Sequence, residues 1–423
     1  MTKSNGLPFS PRFAYRVFTI LMLFAWVSTA HAARTEKAIH FFWNPVGITP
    51  NGLLLSPSGT LYGVTTYGGA DSAGLVYELT QSGGVWKETI LYTFTGGSDR
   101  GNPFGPLVMD AAGNLYGTAG SGGTQYYGVV FELSPSGATW TETVLHNFTG
   151  ASDGGEPSGG VVFDTAGNLY GTASFGGIAR CHDLEGYCGV VFQLSPSDNG
   201  WTEHVLYNFT GLSDGSNPRS GVILDSSGNI YGTTFASGGK TGAGAAFELT
   251  LSNGVWQESV LHDFSYGGSD GFYPAGSLVL DKSGNLYGAT EEGGTGAYGT
   301  IFELTPGSGG WTEKILHNFT GGNDGAYPAS VILGKTAIYG VTSQGGTGSC
   351  PYGGGQVTCG SVFELTSSNG WTKKKIYDFH GAPADGGIPN PGLILDSAGH
   401  IFGTLYTGGG NLSMAGAVFE VNP

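Results

Sequence analysis

Charge is scarce in this 423-residue chain: only 11% of residues are Asp, Glu, Lys or Arg, and the basic ones number 16 against 32 acidic. A chain of formal net charge −16 is repelled by phosphate backbones and by anionic lipid surfaces. Nucleic acid and membrane are therefore not expected as partners. Long apolar runs are absent after residue 30, so no membrane-spanning helix is expected in the body of the chain. Cysteine is limited to four residues, and no stretch shows a helical spacing of apolar positions. Glycine does not recur at every third position, which excludes a collagen-like triple helix.

What is present points elsewhere. Glycine reaches 79 residues and aromatics 13%, a composition of many short strands joined by tight turns rather than of a disordered chain. At the start, Lys3, Arg12 and Arg16 precede the apolar run from Val17 to Ala30, which leads into Ala30-His31-Ala32. A basic segment, a short apolar segment and a small-x-small site form a secretory signal, with cleavage expected after Ala32. Losing those three basic residues takes the net charge from −16 to about −19. The cysteines fall in two local pairs, Cys181/Cys188 and Cys350/Cys359. In an exported chain they are expected to form two disulfides, each ordering a short surface loop more than it stabilises the fold. Zinc binding by the four is the alternative, though the tight C-x-x-C spacing is lacking.

The chain is a tandem repeat. Leu-Tyr-Gly or a close variant occurs seven times, with its aromatic at Tyr62, Tyr116, Tyr170, Tyr231, Tyr287, Tyr339 and Phe402, at spacings of 54, 54, 61, 56, 52 and 63 residues. The two longest spacings hold the cysteine pairs, so the cysteines mark insertions. Each unit has four strand-like runs. In one unit the first two are Gly221 to Leu224 and Ile230 to Thr234, joined by the turn Asp225-Ser226-Ser227-Gly228-Asn229. A Gly-Gly loop, a Phe-Glu-Leu run and a Trp-led run complete a unit. Four antiparallel strands repeated seven times predict an all-β, seven-bladed β-propeller. A stacked solenoid is the architectural alternative. The last unit stops after its third run, Val418 to Val421, while Ile39-His40-Phe41-Phe42 matches a fourth run. The N-terminal strand, near residues 38–43, is therefore expected to pair with residues 416–421 and close the ring. Residues 1–32 are read as the signal and 33–423 as one propeller domain, expected to be a monomer.

The unit from Gly221 to Phe264, "GVILDSSGNIYGTT…GAAFELTLSNGVWQESVLHDF", resembles the GloVer tandem repeat of bacterial exported proteins. Gly-Asn-Leu-Tyr-Gly, Phe-Glu-Leu and Trp-Thr-Glu signatures recur in fixed order over nearly the whole mature chain. The resemblance implies a propeller-like exported protein and no particular activity. Members pair the repeat with C-terminal surface anchors. At Pro423 no anchor-like apolar tail or basic stop follows, which removes the usual ground for expecting attachment. The Asp-x-x-Gly-Asn-x-Tyr turn also resembles repeats of NHL and gluconolactonase-type propellers, over two strands only.

Strand order puts the turns between first and second strands, and between third and fourth, on one face. The other face receives the Gly-Gly loops, both cysteine insertions and six copies of an acidic loop phrase centred on Asp99, Asp153, Asp214, Asp270, Asp324 and Asp385. Longer, varied loops on a rigid scaffold are where ligands bind. The candidate ligand-binding residues are these aspartates with Phe104, Phe272, Tyr273 and Tyr327 beside them and Tyr126, Tyr127 and Tyr298 from the Gly-Gly loops. Three readings of the aspartates stand together: each caps its own turn by accepting an N–H two residues on, or they bind Ca²⁺, or with the aromatics they hold a sugar. No cofactor other than this Ca²⁺ is expected.

His40, His146, His262 and His317 share one repeat position with Tyr92, Tyr207 and Tyr377, which suits a space-filling role with a polar tip rather than catalysis. His182 and His380 fall outside that position and pair with no nucleophile or metal set. Three Asn-Phe-Thr sequons, at Asn147, Asn208 and Asn318, only restate the repeat consensus. No nucleophile–base set, phosphate loop or zinc cluster is legible, so no catalytic residue is assigned. The sequence thus favours a non-enzymatic exported scaffold that binds a carbohydrate or another exported protein. The alternative is a secreted hydrolase or lyase with a central metal-dependent site.

Overall fold

The Leu-Tyr-Gly and Phe-Glu-Leu motifs are two halves of one contact. In the computed structural model, which describes residues 36–43, 46–97, 99, 101–178, 188–236, 242–367, 370–408 and 415–423, each motif glycine pairs across the sheet with the motif aromatic, as Gly117 does with Phe131 and Gly288 with Phe302. The ring lies flat on the glycine: a Cβ on Gly117 would meet the Phe131 ring at 2.7 Å. Any side chain at this position would lift the aromatic off the sheet, so glycine is required by close approach. Tyr77 replaces phenylalanine in the first unit, over Gly63.

The strands form seven sheets of four strands or more. Blades 1 to 6 cover residues 48–93, 103–147, 161–208, 223–263, 271–318 and 326–378. Blade 7 combines residues 387–421 with the N-terminal strand Glu36–Phe41, which pairs with Ala417–Val421 through a bulge between Ala38 and His40. The expected closure is observed, two residues nearer the N-terminus than the sequence suggested. A three-residue 3₁₀ turn, Gly322–Asp324, is the only helix among the described residues. None there is long and apolar enough to cross a membrane.

The hydrophobic core lies between blades. Each fourth strand runs into a buried phenylalanine that meets the next blade's motif aromatic edge-on: Phe94 on Phe131 at 5.3 Å, Phe209 on Phe247 at 5.1 Å, and Phe42 on Tyr77 at 4.9 Å across the closure. Burying such a ring is worth roughly 2–3 kcal/mol, so the seven junctions hold the ring together.

A second set of contacts ties the blades near the axis. The residue before the proline opening each innermost strand takes positive φ, for example 60° at Asn102, 59° at Tyr273 and 56° at Ile388. Such a conformation is strained for a side chain, and a following proline restricts it further. It turns the N–H across to the preceding blade: Asn102 donates to the Ala73 carbonyl at 2.8 Å and Ile388 to Cys359 at 2.7 Å. The proline then packs on that blade's glycine, where a Cβ on Gly244 would sit 2.7 Å from Pro274 Cδ.

Three features differ from the sequence reading. The first strands of blades 3 and 4 shrink to Val161–Phe163 and Ile223–Leu224. There Gly159 approaches the Gly221 backbone closely, with room for no side chain between the two inner strands. The Cys350–Cys359 disulfide forms as expected, but it is not a surface staple. Both cysteines are fully buried and pack with Phe379, Ile388 and Leu405 in the core between blades 6 and 7. The hairpin they carry, Cys350–Tyr352 with Gly355–Val357, rises from that buried base.

Cys188 corrects the surface-loop expectation in the same way. It is disulfide-bonded and fully buried, packed with Phe209, Val222 and Phe247 in the core between blades 3 and 4. Its carbonyl accepts the Asn217 N–H at 2.8 Å, as the Cys359 carbonyl accepts that of Ile388. The two insertions therefore leave equivalent junctions, and the cysteine that ends each one fills the apolar gap beside the buried phenylalanine. Cys181, the expected partner of Cys188, lies outside the described residues, as do residues 1–32 and His182.

Candidate functional site

The six loop aspartates each hold their own loop closed. Asp99 accepts from the Thr95 N–H at 3.0 Å, the Thr95 hydroxyl at 2.6 Å and the Tyr92 hydroxyl at 2.7 Å. Asp214 repeats this with Thr210 and Tyr207, and Asp153 with Thr149. The captured N–H comes from four residues earlier, or five at Ser265 and His380, rather than from two residues on. A threonine hydroxyl beside that N–H in four of the loops, or the Ser265 hydroxyl at Asp270, gives the carboxylate a second donor from the same residue. Asp99, Asp214 and Asp385 are at most 5% exposed. The exchangeable His/Tyr position is explained by the same loop, since its polar tip faces the aspartate: His317 Nε2 lies 3.2 Å from Asp324, and the Tyr377 hydroxyl donates to Asp385. These two repeat positions belong to one device.

None of the six lines the axis, where a cavity of about 780 Å³ lies between the innermost strands. Its wall includes the residue after each opening proline, and here the repeat stops repeating: Asn51, Phe104, Ser158, Arg219, Ala275, Ala329 and Asn390. The ends of the second strands add Phe235, Glu291, Glu292 and Tyr406, which places the opening on the face with the long loops. Rigid neighbours position the charges. The Arg219 guanidinium lies 4.0 Å over the Phe235 ring and donates to Asn217. Phe235 stacks at 4.8 Å on Tyr273, whose hydroxyl is 2.8 Å from that of Tyr266. Burial pushes the Glu291 carboxyl above its usual range, with Arg219 pulling the other way and Glu292 reinforcing the rise. On the opposite wall Tyr352, on the disulfide hairpin, meets Tyr406 edge-on at 5.8 Å.

Of the residues singled out from sequence, Phe104 and Tyr327 line this cavity and Tyr273 supports its wall. Phe272 packs on Tyr266 at 4.7 Å, and Tyr127 stacks on Phe175 at 5.6 Å. Tyr126 and Tyr298 are exposed and do not line the cavity. Arg219, Phe235, Glu291, Asn390 and Tyr406 were missed. Their signal was disagreement among copies: the position after the proline, which holds Arg219 and Asn390, shows five residue types, and the second-strand position of Phe235, Glu291 and Tyr406 shows six, whereas the aspartates are alike. Planar aromatic faces, one guanidinium and two carboxylates around a space of this size suit a small polar ligand with a ring to stack.

The Gloeobacter/Verrucomicrobia repeat model matches residues 26–181 and 141–351. No curated protein matches the chain. Among solved structures, the catalytically inactive virginiamycin B lyase from Staphylococcus aureus with quinupristin is similar at a TM-score of 0.55 and 14% identity, covering 92% of this chain and 99% of that one. The extracellular domain of a candidate one-component system from B. thetaiotaomicron aligns at 0.56 and 11%, over 92% of this chain and 40% of the other. A candidate 6-phosphogluconolactonase from Bacteroides uniformis aligns at 0.51 and 15%, over 82% and 89%. At these identities the likeness is one of propeller fold alone.

Proposed function

The chain belongs to the Gloeobacter/Verrucomicrobia repeat family, and from that premise we propose that it is an exported binding scaffold that captures a saccharide in the mouth of its axial channel. One observation carries the reading. Around a ring whose junctions, turns and core positions are near copies, the side chains facing the axial cavity are all but unalike, and they combine stacking surfaces with hydroxyl-binding groups. A repeat maintained only for architecture has no reason to diverge there. Phe104 and Tyr406 offer faces for sugar rings, Phe235 holds the Arg219 guanidinium in place, and Arg219, Glu291 and Asn390 offer the donors and acceptors that hydroxyls need. Export rests on the pattern in residues 1–32 and on the disulfide between Cys350 and Cys359.

A secreted hydrolase or lyase is the second reading, favoured by a single feature: the Glu291 carboxyl, raised by burial and opposed by Arg219, within the cavity. A glycan array probed with the mature protein separates them. Specific capture that Arg219→Ala and Phe235→Ala abolish, with the glycan recovered intact, supports the scaffold. Cleavage of the captured glycan, lost in Glu291→Gln, replaces it with the enzyme. Capture unaffected by the axial variants removes the channel from both.

A further inference from the structure

Six of the seven junctions between neighbouring blades join three repeat positions. They are the His or Tyr near the end of one outer strand, the aspartate of the following loop, and a residue of the next outer strand that lies two after its tryptophan, or Glu36 in the N-terminal strand, which has none. Between blades 4 and 5 these are His262, Asp270 and Glu313. His262 Nε2 lies 3.3 Å from Asp270 Oδ1 and 3.6 Å from Glu313 Oε1, and one donor atom from each residue lies within 4.8 Å of the others. Ligands held by one ion at about 2.0–2.2 Å stand roughly 3–3.5 Å apart, close to these separations. Asp270 commits Oδ2 to the Ser265 N–H and hydroxyl, both at 2.9 Å, and turns Oδ1 to the cluster. Glu313 Oε1, like that of the glutamate at this position in the other junctions, is buried without a hydrogen-bond partner; here it has the His262 and Asp270 donor atoms beside it. The side chains keep 14–20% of their surface exposed, enough for an ion to enter.

The next junction shows what this place accommodates. His317 and Asp324 hold the first two positions between blades 5 and 6, but the third is Lys373. Its side chain is 7% exposed, and its ammonium lies 3.0 Å from Asp324 Oδ1 and also bonds the Asp324 carbonyl. On the same His–Asp frame, then, the chain inserts a cation of its own. With Glu313 in that position it presents a third donor and no counter-charge.

We propose that His262, Asp270 and Glu313 bind one divalent transition-metal ion of the zinc class, which ties the outer strands of blades 4 and 5 as Lys373 ties those of blades 5 and 6. The imidazole nitrogen selects such an ion over Ca²⁺ or Mg²⁺, which take oxygen donors. The site stands apart from the axial cavity and does not depend on what that cavity binds.

The test uses substitutions drawn from the chain's own repeats, so that folding is retained: Glu313→Lys copies the Lys373 junction, and His262→Tyr copies the position of Tyr207. Mature protein stripped with EDTA is equilibrated with zinc, and bound metal and melting temperature are both measured. The wild type is expected to retain zinc and melt higher with it. Each variant is expected to hold one zinc per chain fewer and to lose the zinc-dependent rise, while Glu313→Lys without metal melts no lower than the metal-free wild type. Glu258→Lys, at a junction built on Tyr207, should leave the zinc content unchanged. Absence of zinc from the wild type, or equal zinc content in the wild type and both variants, overturns the proposal.

Discussion

Raising the pH from 5 to 9 should loosen the blade junctions, and replacing a single carboxyl should show it. Glu142, on the outer strand of blade 2, faces the Asp99 loop of blade 1. Burial first, and then the Asp99 charge, push its carboxyl from 4.5 up to about 7. Glu36, Glu203 and Glu258 occupy the same position at other junctions and are pushed up to about 7 for the same two reasons, with Asp385, Asp153 and Asp214 as the charges. The folded chain thus keeps protons between pH 4.5 and about 7 that the unfolded chain releases. The stabilisation is full below pH 4.5 and is lost as pH rises through about 7. For a wholly enclosed group this is worth ~3 kcal/mol. Because these side chains retain contact with water, about 1 kcal/mol each is the working figure. Glu142→Gln keeps the neutral shape at every pH. It should match the wild type at pH 5 and exceed it by about 1 kcal/mol at pH 8, a shift of roughly 2 °C in melting temperature for a chain of this size. Thermal melts across pH 5–9 decide the matter. Equal offsets at pH 5 and pH 8, or a wild type that grows more stable towards pH 9, would refute the reasoning.

Three further outcomes follow from the packing. Tyr77 buries its hydroxyl without a partner where the other six units have phenylalanine, so Tyr77→Phe should stabilise by about 1 kcal/mol in denaturant melts. Gly244→Ala places a Cβ 2.5 Å from the Thr234 carbonyl oxygen and 2.7 Å from Pro274 Cδ at φ +96°, and should cost about 3 kcal/mol by the same measurement. Replacing Cys350 and Cys359 together by serine should cost about 2–3 kcal/mol, because the bridge is buried between blades 6 and 7; a change confined to proteolysis of the hairpin would restore the surface-staple view.

The architecture was legible because the repeat states it seven times. The motif spacing gave the blade count, and the match of Ile39–Phe42 to a fourth strand gave the closure. Local turns were also readable: Asp110 accepts from the Ala112 and Asn114 N–H groups, as an Asp-x-x-Gly-Asn turn should. What escaped was contact between units. Nothing in the phrase around Asp99 shows that Tyr92 and Glu142, one before it and one a blade later, meet its carboxylate region. Nor does the spacing of the cysteines show that Cys188, Cys350 and Cys359 sit in junction cores rather than on surface loops. The axial residues escaped for a different reason. A search for recurrence finds scaffold, and Arg219 or Glu291 stands out only once a propeller has brought one residue per blade to a common axis. In a ring built from copies, function is sought where the copies differ.

That claim is most directly tested by calorimetric titration of the mature protein with the best saccharide from the array, comparing an axial variant with a loop variant. The account predicts that Arg219→Ala lowers affinity at least tenfold while Asp99→Asn, which changes a repeated loop and leaves the axis alone, binds as the wild type does. Affinity lost in Asp99→Asn and kept in Arg219→Ala would place binding on the repeated loops and contradict it.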